Sequence, residues 1–224
     1  LAVGFLSQLT GLDLVLAEDL VEATSDTGAY VQLSGVLKRT AVKLTKICND
    51  LRLLASGPYC GLNEISLPQM QYGSSIMPGK VNPVIPEVVN QTGFFVIGMD
   101  LTVTLAASAG QLQLNVMEPV IGFALFSSIK AMENAVNSLN HHCVKGITAN
   151  AAHTEAMVMS SLGLITQLSP ILGYKKCSEI VREALARNKP LHQVVVEEQK
   201  LISQAKWDEV FSFDNLIRPK LVRK

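Results

Sequence analysis

Residues 67–91 read Leu67-Pro68-Gln69-Met70-Gln71-Tyr72-Gly73-Ser74-Ser75-Ile76-Met77-Pro78-Gly79-Lys80-Val81-Asn82-Pro83-Val84-Ile85-Pro86-Glu87-Val88-Val89-Asn90-Gln91. The first half is a loop. Gly73 and Gly79 free its backbone, and Pro68 and Pro78 interrupt any strand or helix within it. The second half opens a helix, with Asn82 predicted as the N-cap and Pro83 at the first helical position. Lys80 therefore stands just before a helix N-terminus, where unpaired N–H groups and the positive end of the dipole already favour an anion. On residues alone the stretch is an anion site for a carboxylate or phosphate, or a plain surface loop that ends in a helix cap.

A nucleotide phosphate is excluded. Five residues separate Gly73 from Gly79, one more than a P-loop allows, and Val81 stands where that motif holds magnesium through Ser or Thr. No apolar strand precedes the glycines either. A serine, a lysine six residues on and an asparagine eight residues on supply one proton acceptor and two carboxylate-binding groups. A serine hydroxyl works as a base only where N–H groups and positive charge stabilise its alkoxide and water is kept out.

The rest of the chain reads as helices. Ala29 to about Ser56 carries Val31, Leu33, Val36, Leu37, Val42, Leu44, Ile47, Leu51 and Leu54, mostly at three- and four-residue steps, and Ser56-Gly57-Pro58 stops it. Pro83 to about Ser108 is a second long helix. Asp100 is its only charge after Glu87, so it is predicted to lie in a multi-subunit core and not in a membrane. Asn115 and Glu118 are spaced as a capping box for a third long helix that runs to about Lys145. His141 and His142 near its end read as partners of the helix dipole, not as ligands. Gly146 to Asn150 breaks the composition. Beyond it come short helices over 152–162, 174–187, 190–199 and 203–211, with Trp207 as a packing residue. The expected organisation is all-α, with residues 1–149 as part of a helical-bundle domain and 150–224 as a small helical C-terminal domain.

Composition narrows the function. Of 224 residues, 48% are hydrophobic and 17% charged, and the mean hydropathy of +0.29 is high enough to expect surface covered by other subunits. Nineteen lysines and arginines balance nineteen aspartates and glutamates, which gives no basic face for nucleic acid or anionic membrane. Cys48, Cys60, Cys143 and Cys177 show no C-x-x-C spacing and read as reduced thiols, consistent with a cytoplasmic protein. The chain starts at Leu1 within an apolar stretch, which reads as the C-terminal part of a longer polypeptide.

Gly73-Ser74-Ser75-Ile76-Met77-Pro78-Gly79-Lys80-Val81-Asn82 fits G-S-S-x-M-P-x-K-x-N, the signature of the fumarase/aspartase superfamily, at every fixed position. Gly110 to Ile121, Gly-Gln-Leu-Gln-Leu-Asn-Val-Met-Glu-Pro-Val-Ile, resembles the aspartase branch more than the fumarases. One residue departs: Tyr59 follows Ser-Gly-Pro, where relatives commonly carry arginine. The resemblance implies a long-helix bundle with a small helical C-terminal domain, and a lyase that converts L-aspartate to fumarate and ammonia. It implies Ser74 as the base that takes the C3 proton. Lys80 and Asn82 then bind the carboxylate on that carbon, and Ser75 and the Val81 backbone add contacts. Glu87 matches a glutamate that pairs with a histidine from another segment. The resemblance further implies a cytoplasmic homotetramer with sites shared between subunits. No cofactor is called for, although divalent cations are possible activators. These residues then supply one of three regions that make a site, and alone they are expected to be inactive. Two alternatives stand beside this reading, a fumarate hydratase of the same fold and a non-catalytic structural or assembly protein on the lyase bundle.

Overall fold

A computed structural model describes residues 1–73, 76–77 and 79–218. The chain divides into two compact units, Leu1–Ala149 and Asn150–Lys224.

In the first unit the long helices are α3 (Gly28–Leu54), α4 (Val84–Ala107) and α5 (Glu118–His142), preceded by α1 (Ala2–Thr10) and the short α2 (Glu22–Ser25). Helix α4 packs on both α3 and α5. Each presents a heptad seam. In α3 the buried positions Ser34, Ala41 and Cys48 fall every seven residues, interleaved with Leu37, Leu44 and Leu51. In α5 the run is Ile121, Leu125, Ser128, Met132, Ala135 and Leu139. In α4 it includes Val89, Gly93, Val96, Asp100 and Val103. A three-four alternation of this kind keeps one stripe facing its neighbour, as in a coiled coil.

Small residues let the helices approach. A Cβ at Gly93 would lie 2.5 Å from Thr45 Oγ1, so alanine there would force α3 and α4 apart. Asp100 is matched from α3: Ser34 Oγ donates to Oδ1 at 2.8 Å, and Lys38 Nζ lies 2.6 Å from Oδ2. Burying that carboxylate without them would cost several kcal/mol, on the order of 3–5.

Two corrections to the sequence reading follow. Val31, Leu33, Val36, Val42 and Ile47 do not form the α3 seam and are exposed; of the expected apolar residues Leu37, Leu44 and Leu51 pack in it, alternating with the small Ser34, Ala41 and Cys48. Asn115 does not form a capping box with Glu118. Its Nδ2 donates to Ala106 O (3.1 Å) and Ala107 O (3.3 Å) at the end of α4, while its Oδ1 accepts from Met117 N (2.9 Å) at the start of α5. One buried amide thus serves the orphan groups of two helix ends.

One feature is not helical. Strands β1 (Ile65–Ser66) and β2 (Thr148–Ala149) pair antiparallel, Ile65 opposite Ala149 and Ser66 opposite Thr148. The periodicity gives no sign of this ladder. It ties the entry to the signature loop to the chain that follows α5.

In the second unit α6 (Ala151–Ser160) is followed by a 3₁₀ stretch (Leu162–Leu168), α7 (Ser169–Leu172), α8 (Tyr174–Ala186), a π-helical turn (Gln193–Glu198), α9 (Gln204–Val210) and α10 (Phe213–Ile217). Its core holds Leu168, Ile180, Val194, Val195, Trp207 and Phe211. Trp207 stacks tilted on Phe211, with ring centroids 4.1 Å apart, which is the packing role its sequence context suggests.

Candidate active site

Chain reversal after α3 builds the floor of the site. Ser56 Oγ donates to Leu53 O at 2.6 Å and accepts from Leu62 N at 3.1 Å. Asn63 N and Glu64 N reach back to Ser56 O (2.7 Å) and Leu54 O (2.9 Å), closing residues 56–63 onto the helix end. Gly61 is required here, because a Cβ would sit 2.3 Å from the Ser56 carbonyl carbon. The ladder between β1 and β2 then fixes the direction in which the chain enters the loop. A Cβ on Gly146 would stand 2.4 Å from Pro68 Cγ, so that position too accepts only glycine without movement.

The loop's two ends meet. Asn82 Nδ2 donates to Gly73 O at 3.1 Å, and a Cβ on Gly73 would fall 1.9 Å from Lys80 O. Gly79 takes φ +80°, a conformation that favours glycine. These contacts correct the sequence reading of Asn82. Helix α4 begins at Val84 with Pro83 as its N-cap and no side-chain cap bond. The Asn82 amide turns away from the helix because it satisfies a loop carbonyl.

Lys80 and Val81 line a cleft of ≈ 380 Å³ together with Gly57, Pro58, Asn63 and Ser66. Both are exposed. Glu87 lies elsewhere. It is half-buried in the first turn of α4, where a carboxylate suits the helix dipole. It lines a second hollow of ≈ 310 Å³ with Asn49, Arg52, Asn90, Gln91 and Phe94. Asn90 is held there firmly. It lies 2.7 Å from Asn49, and in the orientation that satisfies both ends of its amide it reaches Thr45 O (3.3 Å) and Arg52 Nη1 (3.2 Å). The structure therefore places Lys80 and Val81 at one cleft, turns the Asn82 amide onto Gly73 O beside it, and sets Glu87 in a separate polar hollow. Ser74 and Ser75 lie outside the described residues.

The polar lining of Glu87's hollow escapes a reading based on apolar spacing. Asn90, a polar residue at a seam position within an apolar helix, was the available signal. Among the described residues no three His, Cys, Asp or Glu side chains converge as they would around a metal ion.

Known proteins resemble the chain along most of its length. A family model described as "Lyase" matches residues 1–98, and one described as "Fumarase C C-terminus" matches residues 164–218. An aspartate ammonia-lyase of Pseudomonas canavaninivorans is 55% identical over 222 residues, which is 99% of this chain and 47% of that protein. The chain thus spans just under half the length of the curated relatives it matches. A crystal structure of fumarate lyase:delta crystallin from Brucella melitensis, bound to cobalt, superposes with a TM-score of 0.88 at 49% identity, over 93% of this chain and 45% of that one. A class II fumarase of Schistosoma mansoni gives 0.82 at 34% identity, over 93% and 46%. With a lyase match at one end, a fumarase match at the other and this likeness between them, the chain belongs to the fumarase/aspartase superfamily of lyases.

Proposed function

We propose that the chain carries part of the active site of an aspartate ammonia-lyase, which eliminates ammonia from L-aspartate to give fumarate. The observation that carries this is the 55% identity to a named aspartate ammonia-lyase across 99% of the chain; the class II fumarase stands lower, at 34%. Ser74, as alkoxide, takes a proton from C3. The C–H electron pair moves into the adjacent carboxylate, whose two oxygens become negative. Lys80 and Asn82 bind that carboxylate, with Ser75 and the Val81 backbone beside them. The pair then returns to form the C2–C3 double bond, the C2–N bond breaks, and nitrogen leaves as ammonia. Because charge on the carboxylate peaks in the intermediate, Lys80 contributes more to the transition state than to the ground state. Glu87 orients a histidine brought by another segment.

This reading takes residues 1–149 as part of a central helical-bundle domain and 150–224 as a small helical domain. It takes the working enzyme as a cytoplasmic assembly of several copies, four by analogy with the superfamily, with no obligatory cofactor. Exposed Phe94, Leu101, Leu105, Phe123 and Phe126 support association. Helix α4 is long and apolar enough to cross a membrane, but its seam packs in the unit and carries the Asp100–Lys38 pair. The test supplies the complete protein with L-aspartate or L-malate and follows fumarate by its ultraviolet absorbance. Fumarate from aspartate, with ammonia in equal amount, is expected. Fumarate from malate alone would assign the hydratase reaction instead.

A further inference from the structure

We infer that Asn82 is a positioning residue, whose amide latches the two ends of the signature loop and so places Lys80 at the cleft. The inference rests on the proposed lyase site only for its kinetic consequence; the latch itself belongs to the ligand-free chain. Two observations carry it independently. The first is the half-buried hydrogen bond from Asn82 Nδ2 to Gly73 O, 3.1 Å long and bridging nine residues. The second is the backbone crossing beneath it, where Gly73 approaches Lys80 O so closely that a Cβ would lie 1.9 Å away.

The geometry explains why these residue types stand at these places. Only glycine at 73 lets the two loop segments approach so closely. Gly79, at φ +80°, turns the chain back toward the crossing. Lys80 N then reaches Met77 O at 3.4 Å, and Val84 N takes Asn82 O at 2.9 Å as α4 begins. Lys80 is thus held between a glycine turn and a residue pinned on both sides. A lysine ammonium on four methylenes is a flexible point charge. Fixing its backbone is what limits where that charge lies, and misplacement of about 1 Å in a catalytic group is costly. A helix-cap role would point the Asn82 side chain at α4, and α4 receives no such bond.

The experiment uses trypsin on the ligand-free complete protein and reads cleavage after Lys80 by mass spectrometry. Native-state cleavage at a folded loop follows how often it opens. Asn82→Ala removes the latch. Asn82→Asp keeps the shape but replaces the donor with an acceptor facing Gly73 O. Gly73→Ala forces the crossing apart while leaving Asn82 intact. Each should raise cleavage after Lys80 about tenfold, the loss of one ordinary hydrogen bond. Asn82→Ala with Gly73→Ala together should do no more than either alone, because both break the same contact. Gly73→Ala should also lower kcat/KM for L-aspartate, though it removes no group able to touch a substrate. Unchanged cleavage in both Asn82 variants would overturn the latch, and leave Asn82 as a carboxylate ligand alone. If the lyase reading failed instead, the wild-type protein would lack activity while the cleavage result stood.

Discussion

Cys48 and Cys143 face each other across the core formed by α3, α4 and the end of α5, and both are essentially unexposed. Burial, and then the neighbouring Cys143, push the Cys48 thiol up to about 11, and burial raises Cys143 as well. Since the thiolate is the reactive species, about one Cys48 in a thousand is ionised at pH 8. An alkylating agent at that pH should therefore label exposed Cys60 first. Cys48 and Cys143 should react only as the protein unfolds, or as pH climbs toward 11 for Cys48. Peptide mapping after a timed reaction checks this, and labelling of either at the rate of Cys60 would contradict it. Some residue-scale facts were legible in the sequence and some were not. Spacing alone correctly read the cysteines as unbridged thiols. It misread Asn82, because a polar residue before Pro83 fits a helix cap and a loop latch equally well, and only the approach of Gly73 decides between them.

The three long helices were legible in the sequence to within a few residues at each end, since an apolar repeat over two dozen residues outweighs local noise. The facing of α3 was not. Val31, Leu33, Val36, Val42 and Ile47 lie outward, and its inner seam alternates Leu37, Leu44 and Leu51 with Ser34, Ala41 and Cys48, small side chains that close packing requires but that hydrophobicity undervalues. The outward apolar residues of α3 stay exposed although the helix packs on α4 and touches α5. Helix α4 has the same two faces, with Val96 buried and Leu101 exposed. The two should answer a charge differently. Val96→Lys buries an unpaired ammonium in the seam and should unfold the unit. Leu101→Lys should leave the fold's circular dichroism intact while lowering the assembly's mass by light scattering. A Leu101→Lys protein of unchanged mass would remove α4's outer face from the interface between copies. The β1–β2 ladder was invisible at this scale, because two residues on each side carry no period to detect.

At the scale of the whole molecule, the chain accounts for just under half of the relatives it matches, and the cleft beside Lys80 is open to solvent. Lys80 and Val81 line it, whereas Glu87 lines a separate polar hollow. This division suits a site finished by other segments, with the histidine that Glu87 would orient arriving from one of them. Groups that act as one catalytic unit lose nearly all activity when some are missing. The central claim is that the Lys80 ammonium stabilises the negative carboxylate of the reacting aspartate. It is tested most directly by kcat/KM for L-aspartate in the complete protein carrying Lys80→Ala. One charged hydrogen bond in a desolvated site is worth about 3 kcal/mol, so the account predicts a fall of about 100-fold or more; a value close to that of the unaltered protein would contradict it.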